Sequence, residues 1–271
     1  DILRIYGYNN VEIPTQLKSS LTTENEEDKE HKLENIVSEQ LVGCGFNEIL
    51  NNSLTKEAYY NHDELNSYRW ANTVKIMNPL STDLGVMRQT LVFGGLESLA
   101  RNINRKRENL RFFEVGNVYH YDPEKDDHDA PIKAYTQQYH LALWLTGKRV
   151  EGSWAHADEE TSFYELKAYV LNILRRAGLK QGVAVEEKTT NNLFAYGLTL
   201  KTRQGVKLAE YGKLAKKVAH SCDVEKDVFY AELNWTAIVK ATKKNKVEFK
   251  ELSKYPSVSR DLALLVDDNV E

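Results

Sequence analysis

The chain has 271 residues, 41% of them hydrophobic and 28% charged, with a net charge of −4. That is enough chain for a large domain with its own core, and no apolar run approaches the roughly 18 residues of a membrane helix. Cys44 and Cys222 are the only cysteines, which excludes a disulfide framework and a four-ligand structural zinc site and points to a reducing, cytoplasmic setting.

The mild acidity means that any nucleic acid must be held by a local patch or a neighbouring domain, not by the field of the whole chain. The sequence begins at Asp1 and its only methionines are Met77 and Met87. The start has neither the basic opening nor the apolar stretch of a signal peptide. With strand-like residues Asp261–Val266 at the far end and nothing after them to pair, the sequence reads as a central piece of something larger.

In chain order, residues 1–22 read as a tail and linker, with turn chemistry at Arg4–Asn10 and Pro14 forbidding helix around it. Thr23 precedes an acidic first turn, and Leu33, Ile36, Val37, Leu41 and Cys44 follow at intervals that draw one apolar stripe on a helix. Gly43 and Gly45 stop it. Residues 46–90 read as short strands and loops. A second helix is predicted from Thr90 as cap through Leu96, Leu99 and Ile103, its last turns carrying Arg101, Arg105, Lys106 and Arg107 against the negative end of the dipole.

Residues 110–120 predict a strand bent at Gly116, and 122–133 an exposed loop. The alternation of Leu141, Leu143 and Leu145 predicts a half-buried strand. Ser162–Glu165 is a capping-box pattern opening a helix through Leu166, Tyr169, Val170, Ile173 and Leu174 to Gly178. Strands follow near 193–201, 206–212 and 228–234, then a lysine-rich polar segment to 250. Helices and strands cluster instead of alternating, so the fold class is α+β on an antiparallel sheet flanked by helices.

The residues by themselves assemble no active site. No two of the seven histidines have the His-x-x-x-His spacing that brings two rings to one helix face. Asp126-Asp127-His128-Asp129 could ligate a metal, but contiguous acids in such a segment more often form a solvated loop. No glycine-rich phosphate loop is present. Cys44, on the helical stripe, reads as core. Lys240, Lys243, Lys244, Lys246 and Lys250 form the best basic patch, and without interleaved aromatics a solvated face is the better account.

Four segments in order carry a resemblance. They are Arg4–Asn10 with Pro14; Met77–Ser81 with Met87–Leu91 and Leu96–Asn102; Leu110–Gly116; and Lys254–Leu264. Together they resemble the beta subunit family of bacterial phenylalanyl-tRNA synthetase, nearly end to end. Phe93 and Gly95 depart from the Pro and Leu common there.

The resemblance implies that residues 1–14 close a winged-helix-like domain, that 15–252 form a non-catalytic module shaped like a class II synthetase core, and that 253–271 open a ferredoxin-like anticodon-binding domain. It implies a structural role beside an alpha subunit that ligates phenylalanine to its tRNA in an (αβ)2 assembly. ATP and magnesium would then serve the parent enzyme, with none bound by this chain, and tRNA would be held mainly by domains outside it. An autonomous RNA-binding module and a degenerate but active class II ligase are the alternatives.

Arg111-Phe112-Phe113-Glu114 superficially matches the motif in which an arginine grips ATP. Without a glycine-rich partner motif (no glycine follows Gly212), strand core is the better reading. Asp1 falls at the last of the carboxylates through which the family holds magnesium between subunits. The stripe of Leu33, Ile36, Val37 and Leu41 is placed by the resemblance at the interface with the alpha subunit.

Overall fold

A computed structural model describes residues 1–13, 15–16, 25–60, 66–180, 182, 184–243, 251, 254–255, 257–263 and 265. The elements in chain order open with α1 (Ile2–Tyr6), α2 (Glu26–Gly43), β1 (Asn47–Glu48), β2 (Leu54–Thr55), β3 (Val86–Met87), α3 (Val92–Ile103) and β4 (Leu110–Tyr121). Next come β5 (Tyr135–Thr146), β6 (Lys148–Val150), β7 (Glu159–Glu160), α4 (Phe163–Arg176), β8 (Ala184–Lys188) and β9 (Phe194–Thr202). The series closes with β10 (Lys207–Leu214), α5 (Lys216–His220), β11 (Val228–Asn234) and α6 (Trp235–Thr242).

Seven strands form one sheet in the order β1-β4-β5-β11-β10-β9-β8. It is antiparallel throughout except that the two-residue β1 runs parallel to β4. Its central strands are buried on both faces, which is why Leu141–Thr146 and Val228–Leu233 read as nearly unbroken apolar runs. Odd-numbered Phe113, Leu141, Leu143, Leu145, Phe229, Ala231 and Leu233 face one cluster together with side chains of α2, α4 and α6. Even-numbered Phe112, Ala142, Trp144, Val228 and Tyr230 face the other, with α3 and α5. In α4 alone, Leu166, Val170, Ile173 and Leu174 are buried, each contributing about 2 kcal/mol of apolar transfer.

The boundaries correct several expectations. The cap of α2 is Asn25, whose side chain accepts from the Asp28 N–H while Asp28 accepts from the Asn25 N–H, at 2.7 and 3.0 Å; Thr23 lies outside the described residues. Arg4–Asn10 is not all turn, because Ile2–Tyr6 winds into α1, closed by Gly7 at φ +89°.

Thr90 stands one residue before the N-cap of α3, Leu91, and accepts the Val92 N–H. That helix ends at Ile103, so Arg105, Lys106 and Arg107 lie beyond it. Strand β4 runs through Gly116 unbroken; a Cβ there would collide with the Arg88 guanidinium, so the glycine makes room and is not a bend. Ser162 does cap α4, but the Glu165 carboxylate completes no box because it goes to Arg111 instead. Strand β8 and helix α6 were not anticipated: the first is short and highly charged, and the second is two turns long and merges with a lysine run.

Residues 261–263 are in no strand; Leu264 and Val266 fall outside the described residues. Among the described residues no helix is long and apolar enough to cross a membrane.

Candidate functional site

One polar row crosses the even-numbered face of the sheet. The register pairs Glu114 with Ala142, Ala142 with Glu232, Glu232 with Glu210 and Glu210 with Thr199. Three carboxylates therefore share a line perpendicular to the strands, with Glu232 and Glu210 on adjacent strands and Glu114 two strands away, at about 4.8 Å per strand. Like charges directly opposite one another destabilise a sheet, so each must be matched.

Each is. Arg88 donates from Nη1 to Glu114 Oε1 at 2.6 Å, with the two side chains only 7% and 0% exposed. Asn51 donates to both oxygens of the same carboxylate, from its backbone N–H and from Nδ2. Glu232 meets His140 Nδ1 at 2.7 Å through Oε1, and its Oε2 accepts from Thr90 Oγ1 at 2.5 Å and from Tyr230 OH at 2.6 Å. Glu210 accepts from Thr189, Thr199, Asn191 and Lys207.

Burial alone would raise the Glu232 pKa, but the hydrogen bond and charge of His140, with the Thr90 and Tyr230 hydroxyls, pull it down to about 2. His120, on the same face of β4, is pushed below its ordinary value by burial and then by the His140 charge. Tyr68 lies over the row: its phenol is raised by burial and then by Glu232 and Glu210. Tyr60 accepts the Gln89 N–H, and Asn66 fastens the covering segment to the β8–β9 loop through Thr190 O and Asn192. The face is thus roofed with aromatics and self-satisfied beneath them.

That arrangement is poorly suited to phosphate chemistry. The carboxylates offer acceptors where a triphosphate needs donors, and Arg88, the buried guanidinium on the face among the described residues, is already neutralised by Glu114. Residues i and i+2 of a strand share a face, so an arginine of β4 just before Glu114 and on its face would stand at 112, which is buried Phe112. Arg111 points to the opposite face. It is held by Glu165 at 3.2 Å and donates to the Cys44 and Arg149 carbonyls. The reading of Arg111 as strand structure agrees with these contacts. Among the described residues, His140 is hydrogen-bonded to Glu232 and Gln138 and to no serine, threonine or cysteine, so no nucleophile–base pair is formed there.

Sequence reasoning missed this row. Its signal was a lone Glu inside each of three otherwise apolar strand segments, at 114, 210 and 232.

The other expected site residues are dispersed. Asp1 is exposed and caps α1 without a side-chain bond. Among the described residues no three His, Cys, Asp or Glu side chains gather as a metal-binding group. The α2 stripe divides. Val37 and Leu41 are 2% and 1% exposed and belong to the chain's own core, whereas Leu33 and Ile36 are half-buried. Cys44 is the half-buried C-cap of α2. Asp126–Asp129 is a solvated loop in which Tyr121 OH donates to Asp126. Of the lysine patch, Lys240 is on α6 and Lys243 is its C-cap, while Lys244, Lys246 and Lys250 lie outside the described residues.

A family model described as the phenylalanyl tRNA synthetase beta chain CLM domain matches residues 13–235. The phenylalanine–tRNA ligase beta subunit of Bacteroides fragilis (strain YCH46) is 56% identical over 271 residues, covering 100% of this chain and 33% of that protein. The corresponding subunit of Porphyromonas gingivalis is 43% identical over 270 residues, with the same coverage. The chain therefore spans about a third of the length of the curated relatives it matches. Among solved structures, pyrrolysyl-tRNA synthetase from Desulfitobacterium hafniense superposes with a TM-score of 0.57 at 13% identity, over 79% of this chain and 69% of that one. That likeness is one of fold, while the sequence match is end to end. The chain belongs to the phenylalanyl-tRNA synthetase beta chain family, through its CLM domain.

Proposed function

We propose that the chain is the structural, non-catalytic core of a phenylalanine–tRNA ligase beta subunit, shaped like a class II synthetase core. In this reading it assembles with an alpha subunit in a cytoplasmic (αβ)2 enzyme, and the alpha subunit joins phenylalanine to tRNA at the expense of ATP. Residues 15–252 form this core, with 1–14 and 253–271 belonging to the domains on either side. ATP and magnesium belong to the chemistry of the assembled enzyme, not to residues of this chain. The half-buried Leu33 and Ile36 are the stripe residues of α2 that would meet the alpha subunit, Leu33 while also packing against the chain's own core.

The observation that carries the reading is the sheet face itself. Its charges are matched among themselves, its buried guanidinium is already engaged by Glu114, and Arg111 is bound on the opposite side. Adenylate formation depends on donors aimed at developing phosphate charge, and no such donor is free on this face among the described residues.

The test is to mix the protein with the alpha subunit of the Bacteroides fragilis ligase. Association is followed by sedimentation, and phenylalanine-dependent pyrophosphate exchange is assayed with and without alpha. A stable complex is expected, with no exchange by the chain alone. Exchange by the pure chain that disappears in Arg111→Ala would overturn the non-catalytic assignment.

A further inference from the structure

The last turn of α3 carries Arg101 and the turn between α3 and β4 carries Arg105, Lys106 and Arg107, all exposed. Among the described residues none of the four forms an ion pair with a carboxylate. Neighbouring cations are matched: Lys226 with Glu108, Lys148 with Asp158 and Arg149 with Glu159. Glu108, whose carboxyl is held low first by Lys226, also feels Lys106 but makes no ion pair with it. Compensation of the helix dipole accounts for Arg101, in the last turn of α3, but the other three lie beyond the C-cap at Asn104 and outside the short reach of that effect.

The backbone fixes this array. The Lys106 N–H bonds Ile103 O at 2.8 Å and the Arg107 N–H bonds Asn102 O at 3.1 Å, closing the helix with Lys106 at φ +66°. That left-handed position is where glycine costs least, and the chain places a lysine there.

An aromatic side chain stands on the adjoining hairpin. Asn109 accepts from the Lys148 N–H at 2.8 Å and donates from Nδ2 to Glu151 at 2.6 Å, tying the β6–β7 hairpin to the same turn. At the hairpin tip, the Ser153 N–H bonds His156 O and the Gly152 N–H bonds Asp158, and Trp154 is 100% exposed. Unpaired cations on the turn and a presented aromatic ring on the hairpin that Asn109 ties to it supply the two requirements of single-stranded nucleic acid binding, phosphate neutralisation and base stacking. A protein partner would call for an apolar patch around the anchor, and the hairpin residues beside Trp154 are small or polar.

We infer that the α3–β4 turn and the Trp154 hairpin form a docking surface for single-stranded RNA. The argument stands on these residues alone and does not rest on the subunit assignment.

The probe is a fluorescein-labelled 15-nucleotide single-stranded RNA of mixed sequence, titrated by anisotropy from 50 to 200 mM KCl. Saturable binding is expected, with log K falling against log salt at a slope of about −3 for four phosphate contacts. Arg105→Glu with Arg107→Glu is expected to weaken binding at least ~10-fold and to flatten the slope. Trp154→Ala is expected to weaken it about 5-fold or more, with Trp154→Tyr restoring most of the loss. All these positions are exposed, and thermal melts confirm that each variant is folded. The inference is overturned by any of three results: no saturable binding at 50 mM salt, affinity unchanged in both sets of variants, or equal affinity for a polyglutamate peptide. Failure here leaves the association with the alpha subunit untouched, so the two readings fail separately.

Discussion

Gly95 and Trp144 are a matched pair. A Cβ on Gly95 would fall inside the Trp144 indole, which is fully buried and donates from Nε1 to Val92 O at 3.3 Å. Where the resemblance would put a leucine, a side chain at 95 would compete with the tryptophan at 144 for one volume, and this chain gives it to the tryptophan. Phe93, the other departure, stacks on Tyr59 with ring centroids 4.3 Å apart. Gly95→Ala is therefore expected to destabilise by about 1–3 kcal/mol through overpacking. Gly95→Leu combined with Trp144→Val should recover at least ~1 kcal/mol relative to the sum of the single changes. Denaturant melts of the cycle decide this, and strict additivity would refute the pairing.

Glu232 supplies a second test at the same scale. Its folded pKa of about 2 lies below the ordinary value of 4.5, so its contribution is present above about pH 5 and is lost as pH falls toward 2, on the order of 3 kcal/mol in all. Stability measured by urea from pH 6 to pH 3 should fall more steeply for the wild type than for Glu232→Gln. Parallel curves would show that the carboxylate is not held by these partners.

Among the elements, α4 shows how a tertiary partner overrides a local motif. The pattern Ser162–Glu165 specifies a capping box, yet only the Ser162 half forms, because Glu165, 6% exposed, is claimed by Arg111 on β4. Leaving the half-buried Arg111 guanidinium and the buried Glu165 carboxylate unpaired costs more than one missing cap bond. Glu165→Ala should cost about 1–3 kcal/mol, discounted because Arg111 is partly exposed; Arg111→Met in that background should recover part of it. A loss under about 0.5 kcal/mol would mean the pair contributes little.

Helix α2 makes the companion case. Val37→Ala empties a fully buried site and is expected to cost about 1–3 kcal/mol of stability with little effect on alpha-subunit affinity. Ile36→Ala should do the reverse, losing binding more than melting temperature. Thermal melts and binding isotherms of both variants separate core from surface, and identical behaviour of the two would sink the division of the stripe.

At the level of the whole molecule, the sheet divides two kinds of interior. Its odd-numbered face is apolar and takes three helices; its even-numbered face carries an internally matched polar row under an aromatic cover. The described residues of α1 and its flanks bury no side chain. Removing residues 1–12 is therefore expected to leave the melting temperature within about 1 °C, since each kcal/mol shifts a chain of this size by only a few degrees. A drop beyond 4 °C would show that the segment supports the core.

The sequence by itself determined the long elements and the family. Stripes at helical spacing announced α2, α3 and α4, and runs of large apolar residues announced β4, β5 and β11, because periodicity records burial directly. It also carried ordered motifs from Arg4 to Leu264 that no composition argument supplies. Only the tertiary structure decided which face each charge occupies. A glutamate in an apolar strand looks the same in sequence whether it meets solvent, a ligand or a partner, and register alone set Glu114, Glu232 and Glu210 in one row. The same holds for Arg111 and Glu114. Three residues apart in a strand of period two, they face opposite sides of the sheet, and that geometry separates them into two independent contacts, Arg88–Glu114 buried and Arg111–Glu165 half-buried.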